Sequence, residues 1–166
     1  MNNESTTSTP PALLESLELL IPPPLYALAG AAAMWLLHRY WPVAELLAPP
    51  WRSAGIVIMS VSLIPAMLAF GLFRRYHTSA NPHHPEKARR LVTTGIYRWT
   101  RNPMYLSLLT LLLGWGVKLG SASALGVPLL FALTVTRLQI IPEERVLAAH
   151  FGETFNDYAR RVRRWL

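Results

Sequence analysis

The chain of 166 residues is 52% hydrophobic and only 15% charged, with a formal net charge of +7 and no cysteine. This composition excludes an ordinary soluble domain and leaves room for one domain with four or five membrane spans of about 20 apolar residues each. The positive charge indicates cytoplasmic loops near anionic headgroups and not a nucleic-acid partner, and without cysteine there is no disulfide, thiolate nucleophile or cysteine metal site.

The first 20 residues are predicted to form a polar tail followed by a short interfacial helix. Residues 1–11 are rich in Ser, Thr and Asn and lack the basic start of a secretory signal peptide. In residues 12–20 the leucines recur on one helical face, which is typical of an amphipathic helix at a membrane surface. Three prolines at 22–24 end this helix, and residues 21–166 are predicted to form a single transmembrane domain.

Apolar segments recur along the rest of the chain. Residues 25–37 form a short segment, and the uncharged stretch 53–73 is the clearest membrane span, with a kink expected at Pro65. Segments 104–117 and 121–141 are separated by a connection short enough for an antiparallel helical hairpin. We therefore expect an all-α integral membrane protein with about four transmembrane helices, or five. Small surfaces for close helix contact are expected at Gly114, Gly116, Gly120 and Gly126.

The basic residues indicate the orientation in the membrane. Most Lys and Arg residues fall in the loop 74–101 or after Ile141, which share one side if the chain spans four times. The positive-inside rule then places both termini in the cytoplasm, in the inner membrane if the source is bacterial. His83 and His84 lie in this loop between prolines, and without nearby Cys or Asp ligands we expect them to be solvated and no metal to be bound.

The last segment of the chain is predicted to be an amphipathic helix. Apolar side chains recur at helical spacing from Leu147 to Trp165, and Gly152 is expected to interrupt them. The arginines near the end, at 160, 161, 163 and 164, indicate either a basic anchor on the membrane surface or part of a site.

Two polar clusters carry the candidate chemistry. The first is the sequence GIYRWTRNPMY at 95–105, and the second is PEER at 142–145. They contain no Ser/His/Asp set, zinc-type His/Glu set or phosphate-binding glycine loop. Arg101 or Arg98 is suited to a carboxylate or phosphate, and Glu143 or Glu144 to an amine or ribose diol. The residues alone favour a cofactor or headgroup site over covalent catalysis.

The sequence LVTTGIYRWTRNPMYL, followed after the hairpin by PEERVLAAHFGETFNDYARRV, resembles the isoprenylcysteine carboxyl methyltransferases and the related phospholipid methyltransferases. These are integral-membrane enzymes that use S-adenosylmethionine, and the match covers roughly residues 85–163. The resemblance implies cofactor contacts at Leu91, Val92, Tyr97, Asn102, Pro103, Tyr105 and Glu143. To these positions we add Arg101 as an anion contact and Gly95, either as a turn residue or as a place of close approach to the cofactor.

Two residues are predicted to act on the acceptor. The resemblance places a substrate-facing arginine at Arg137, with Gln139 as the alternative register. Glu144, or its neighbour Glu143, is a candidate general base if the acceptor is an amine. In methyl transfer the nucleophile attacks the sulfonium methyl group in line, so the protein mainly aligns the reactants and excludes water.

The leading hypothesis is therefore a membrane methyltransferase that takes S-adenosylmethionine from the cytoplasm and a lipophilic acceptor from the bilayer. The acceptor is an isoprenylcysteine-like carboxylate, a lipid amine or a quinone-like phenol, and membrane lipids are the other expected partners. Two alternatives stay open: an NADPH-dependent membrane reductase of the sterol-reductase type, and a non-catalytic membrane module that binds headgroups. The oligomeric state is left open.

Overall fold

A computed structural model describes residues 18–76 and 91–166 of the chain. These residues form eight α-helices: α1 (Pro23–Tyr40), α2 (Pro49–Arg52), α3 (Ala54–Val61), α4 (Leu63–Arg75), α5 (Pro103–Leu119), α6 (Gly126–Val135), α7 (Ile141–Phe151) and α8 (Glu153–Arg161). Two short 3-10 turns, Gly95–Arg98 and Ala122–Ala124, and a π-helical turn, Thr136–Ile140, connect some of them. The all-helical class is confirmed, since the only extended pairing in the described ranges is an isolated bridge between Glu45 and Ser121.

Within the described parts of the chain, two helical stretches are long and apolar enough to cross a membrane. They are Pro49–Arg75, which joins α2 to α4, and Ala122–Phe151, which joins α6 to α7; α5 is apolar but shorter. The count of four spans and the cytoplasmic placement of both termini stay predictions. Most of the predicted tail and interfacial helix lies outside the described residues, as do His83 and His84.

The predicted kink at Pro65 is a break in the helix. Helix α3 ends at Val61, four residues before the proline, and α4 begins at Leu63. A proline ring clashes with the carbonyl group four residues earlier and removes one backbone donor. The N–H of Ala66, next to the proline, donates instead to the Ser107 hydroxyl of α5 at 2.9 Å. This hydrogen bond links α4 to α5 beside the break.

Helix α5 lies at the centre of the bundle and packs against α1, α3, α4 and α6. Its closest approach is to α3, where a Cβ atom added to Gly55 would lie 2.5 Å from the carbonyl oxygen of Gly114. Gly116 faces Met34 of α1, whereas nothing lies within 4 Å of a Cβ added to Gly126. Close helix packing thus depends on Gly114 and on Gly55, which the sequence did not single out.

The turn after α5 depends on Gly120. This residue has φ +69°, in the left-handed region that favours glycine. A Cβ atom there would also meet the Arg52 side chain, and the Gly120 carbonyl accepts from the N–H of Leu46 at 2.8 Å. Because the 3-10 turn follows, the hairpin connection is longer than the predicted three residues, and α6 starts only at Gly126.

Gly152 separates α7 from α8, as predicted, with φ +55°. The last helix nevertheless ends earlier than the apolar pattern indicates, because Val162 is extended. Residues 162–166 therefore leave the helix and return to the bundle, where Trp165 packs against the core between α1, α5 and α6. A second apolar cluster joins α4, the stretch before α5, and α8, with Ala69, Val92, Tyr97, Phe155 and Tyr158 buried in it.

Candidate active site

A cavity of about 580 Å³ borders α4, α5, α7, α8 and the prolines that start α1. It has two parts. The polar part contains Arg101, Asn102, Tyr105, Glu143 and Glu144, and the apolar part continues along α4 and α5 at Ser62, Leu63, Ala66, Leu108 and Leu111. Most of the residues predicted from the sequence line this one cavity: Leu91, Val92, Tyr97, Arg101, Asn102, Pro103, Tyr105, Glu143 and Glu144.

The polar part forms where α5 begins beside the π-helical turn that precedes α7. Pro103 occupies the first turn of α5, where the missing proline N–H costs nothing. Pro142, Glu143 and Glu144 follow the π-helical turn Thr136–Ile140 within the continuous helical stretch Ala122–Phe151. The structure thus brings the two polar clusters of the sequence together.

The two adjacent carboxylates have different partners. Glu143 accepts a hydrogen bond from the hydroxyl of Tyr105, which is almost fully buried. This bond fixes the position of the Glu143 carboxyl group on the cavity wall. Glu143 is therefore the acidic residue of the pair that is available to an amine, a hydroxyl or a proton.

Glu144 lies between two arginines. Arg101 contacts its Oε1 at 3.1 Å, and Arg164 contacts Oε2 with Nη2 at 2.6 Å and Oε1 with Nε at 3.1 Å. The hydrogen bond to Glu144 raises the pKa of the Arg164 guanidinium, so this partner stays charged. A carboxylate held by two cations is a poor proton acceptor, and the predicted catalytic role of Glu144 stays a prediction.

Two tyrosines, Tyr97 and Tyr158, also line the cavity. The hydroxyl of Tyr158 on α8 donates to the backbone carbonyl of Tyr97 at 2.8 Å, and the Tyr97 ring lies edge-on to Phe73 with centroids 5.6 Å apart. Burial raises the pKa of both phenols, so both stay neutral. The pair offers an aromatic surface on which the Tyr158 hydroxyl is already hydrogen-bonded.

Gly95 is not among the residues that line the cavity. Its φ is +60°, and an added Cβ atom would lie 2.8 Å from Cδ1 of Leu72 on α4. Only glycine fits this turn without strain. The position thus serves the turn that carries Tyr97 into the site, and its contact with a cofactor stays a prediction.

Neither Arg137 nor Gln139 lines the cavity. Nη1 of Arg137 donates to Oε1 of Glu18 at 2.9 Å, and its side chain is 46% exposed. Gln139 is fully buried and donates from Nε2 to the carbonyl of Ile21 at 3.1 Å. The substrate contact predicted for Arg137, or for Gln139 in the alternative register, is therefore not seen in this arrangement and stays a prediction.

Sequence reasoning missed two parts of the site. The apolar part had no signal beyond general hydrophobicity, since Ser62, Ala66 and Ser107 look like ordinary residues of membrane helices. Arg164 was assigned to a group of terminal arginines, and the resemblance covers the chain only to about residue 163. The two negative charges at 143 and 144 were a signal that a second cation would be needed nearby.

Comparisons with known proteins show to which family the chain belongs. The family model of the phospholipid methyltransferases matches residues 51–154, more than half of the chain. The chain is 32% identical over 161 residues to methanethiol S-methyltransferase 2 of Bradyrhizobium diazoefficiens, covering 90% of this chain and 55% of that protein. It is 30% identical over 175 residues to protein-S-isoprenylcysteine O-methyltransferase of Rattus norvegicus, covering 98% and 56%.

A third relative, an uncharacterized protein of Haemophilus influenzae, is 47% identical over 64 residues, which is 38% of this chain and the whole of that protein. No solved structure matches the chain significantly. The chain spans about half the length of the two named methyltransferases.

Proposed function

The chain belongs to the phospholipid methyltransferase family, and we propose that it is a membrane-embedded methyltransferase that moves a methyl group from S-adenosylmethionine to a lipophilic acceptor. One observation carries the proposal: a cavity joins a polar part, built from both sequence clusters, to an apolar part between the apolar helices α4 and α5. A cofactor with charged groups and an acceptor with a hydrocarbon chain need such a combination.

The polar part suits S-adenosylmethionine. A volume of about 580 Å³ lies within the usual range for small-molecule sites. The rings of Tyr97 and Tyr158 offer a surface for an adenine base, and Asn102 and the 91–92 backbone supply polar groups near it. When bound, this cofactor supplies an electrophilic methyl group on a sulfonium centre. The chain's own residues then have to hold the acceptor in line and keep water out.

The apolar part suits a hydrocarbon chain that enters from the bilayer. It is lined by side chains of α4 and α5, among them Leu63, Ala66, Leu108 and Leu111. Neighbouring residues on α4, such as Met67 and Leu68, are exposed and face the surroundings of the bundle. An acceptor with an alkyl tail therefore passes from lipid to the cavity without crossing a polar surface.

The charges favour an acceptor that carries a proton over a carboxylate. Arg101, the cation among the described lining residues, is already paired with Glu144. Among the residues that the structure describes, the hydrogen-bond partner of Glu143 is the Tyr105 hydroxyl. An amine or thiol gives its proton to this carboxylate, and its lone pair forms the new bond to the methyl carbon as the carbon–sulfur bond of the donor breaks. One relative is named for a thiol acceptor.

The experiment uses S-adenosylmethionine with a labelled methyl group and the purified protein in detergent micelles. Acceptors of equal alkyl length that end in an amine, a thiol or a carboxylate are compared. We expect label in the amine or thiol product and little in the carboxylate. Label in the carboxylate alone would overturn the choice of acceptor. No label in any product, together with oxidation of NADPH, would overturn the methyltransferase and support a reductase.

A further inference from the structure

The segment 162–166 approaches the polar part of the cavity from outside it. After α8 ends at Arg161, Val162 is extended and the following residues cross the turn that precedes α5. Trp165 fixes the far side of the crossing, since its Nε1 donates to the hydroxyl of Thr136 at 3.1 Å and its ring packs against the core. The segment is thus anchored on both sides of the site.

Three consecutive residues of that turn are bonded to two consecutive carbonyl groups of the segment. The N–H of Arg101 donates to the carbonyl of Arg163 at 3.1 Å. Nδ2 of Asn102 and the hydroxyl of the fully buried Thr100 both donate to the carbonyl of Arg164, at 2.9 and 3.3 Å. The backbone of the segment therefore sets the position of the turn and the orientation of the Asn102 amide.

The side chain of Arg164 acts on a different element. Its guanidinium makes hydrogen bonds to both carboxylate oxygens of Glu144 on α7. Such paired contacts are directional and stronger than bonds between neutral groups. Glu144 also binds Arg101 of the turn. Arg164 therefore contacts α7 through its guanidinium and the turn through its carbonyl, and Glu144 joins α7 to the same turn through Arg101.

We propose that Arg164 is a positioning residue for the methyltransferase site, which holds Glu144 and the turn 100–102 together so that the cofactor meets a preformed pocket. This inference rests on the proposed function. Without the Arg164 guanidinium, Glu144 keeps one cation instead of two, and α7 loses its side-chain bonds to the segment. Glu144 and the turn are then no longer held in one position. The loss then falls on cofactor affinity first, because preorganisation of the pocket is what is lost.

The test measures the dissociation constant of S-adenosylhomocysteine by calorimetry for wild type, Arg164→Gln and Arg163→Gln in detergent micelles. Arg163 is the matched control, since it has the same charge, lies in the same segment and its side chain is exposed. We expect affinity about tenfold weaker in Arg164→Gln, the usual scale for one charged hydrogen bond, and affinity unchanged within about twofold in Arg163→Gln. The proposal would be overturned if Arg164→Gln bound as tightly as wild type, or if Arg163→Gln lost as much affinity as Arg164→Gln.

A double-mutant cycle separates positioning from a general loss of stability. In a Glu144→Gln background, Arg164→Gln should have little further effect on the dissociation constant, because the partner through which it acts is gone. Additive effects would overturn the proposal. Arg164→Lys, which keeps the charge but not the fork of donors, should fall between wild type and Arg164→Gln, and it takes the place of Arg164→Gln should that variant not fold.

The two proposals fail in different ways. If wild type does not bind S-adenosylhomocysteine, the methyltransferase function is wrong. If wild type binds and transfers the methyl group but Arg164→Gln behaves as Arg163→Gln does, the positioning role alone is wrong.

Discussion

The two parts of the cavity are built by different means. In the polar part each key side chain is held by a named partner from another element, as Glu143 is by Tyr105 and Glu144 by Arg101 and Arg164. In the apolar part the walls are held by helix packing, and the N–H of Ala66 on α4 donates to the Ser107 hydroxyl of α5. On the proposed function, the residues of the polar part determine the reaction, and the shape of the apolar part determines which acceptor enters.

The largest effect is expected at the carboxylate of the polar part. Glu143→Gln keeps an oxygen that accepts from Tyr105 but removes the proton acceptor. Transfer to amine and thiol acceptors should fall about a hundredfold in kcat/KM, the lower range for loss of a general base. Label transfer from S-adenosylmethionine measures this. The control is Glu153→Gln, whose carboxylate is 83% exposed on α8; a loss of the same size there would contradict the assignment.

A second effect tests the packing on which the apolar part depends. In Gly55→Ala the new Cβ atom meets the backbone of Gly114 and Lys118 on α5. Overpacking of this kind lowers the free energy of unfolding by about 1–3 kcal/mol, which is measured as a lower melting temperature in detergent. Gly71→Ala on α4 is the control, since nothing lies within 4 Å of its added Cβ atom. Equal melting temperatures of the two variants would show that the close contact is not needed.

A third effect separates the two parts by function. Leu111→Trp fills the apolar part and should lower kcat/KM for long-chain acceptors about tenfold, as occlusion of a hydrophobic pocket does, while short-chain acceptors lose less. The matched control is Leu113→Trp on the same helix, which is exposed and does not line the cavity. If chain length makes no difference to the loss, the apolar part does not hold the acceptor chain.

The smallest effect is expected at Arg137. Its guanidinium binds Glu18, and its side chain is half-exposed. Arg137→Gln should change kcat/KM by no more than about twofold, in line with other exposed ion pairs. A loss of tenfold or more for a carboxylate acceptor, measured in the same assay, would restore the substrate contact that the resemblance implies.

Much of the fold follows from local signals in the sequence. The apolar segments, Pro65 and Gly152 predict helices and the places where they end, because backbone geometry at proline and glycine is decided locally. The contact between α3 and α5 was not predictable in the same way. It depends on Gly55 meeting Gly114 across the bundle, and a single sequence does not indicate which of its glycines face each other.

The candidate site, too, was predictable from the sequence only in part. The clusters at 95–105 and 142–145 were recognisable because arginine, asparagine and glutamate are costly beside a membrane span without a role. The different environments of Glu143 and Glu144 were not predictable, since adjacent residues of one helix point in different directions and their partners come from distant segments. For the terminal arginines, Arg164 among them, a surface anchor and a place in a site both stayed open, and the extended Val162 directs Arg164 to Glu144.

On the proposed function, the polar part of the cavity binds an adenosyl cofactor and the apolar part binds the acceptor. The most direct measurement is calorimetric binding of S-adenosylhomocysteine and of NADPH to wild type, Asn102→Ala and Leu111→Trp. We expect S-adenosylhomocysteine to bind wild type and Leu111→Trp equally and to bind Asn102→Ala about tenfold more weakly, and we expect no binding of NADPH. Binding of NADPH alone, or a loss in Leu111→Trp as large as that in Asn102→Ala, would contradict the proposed function.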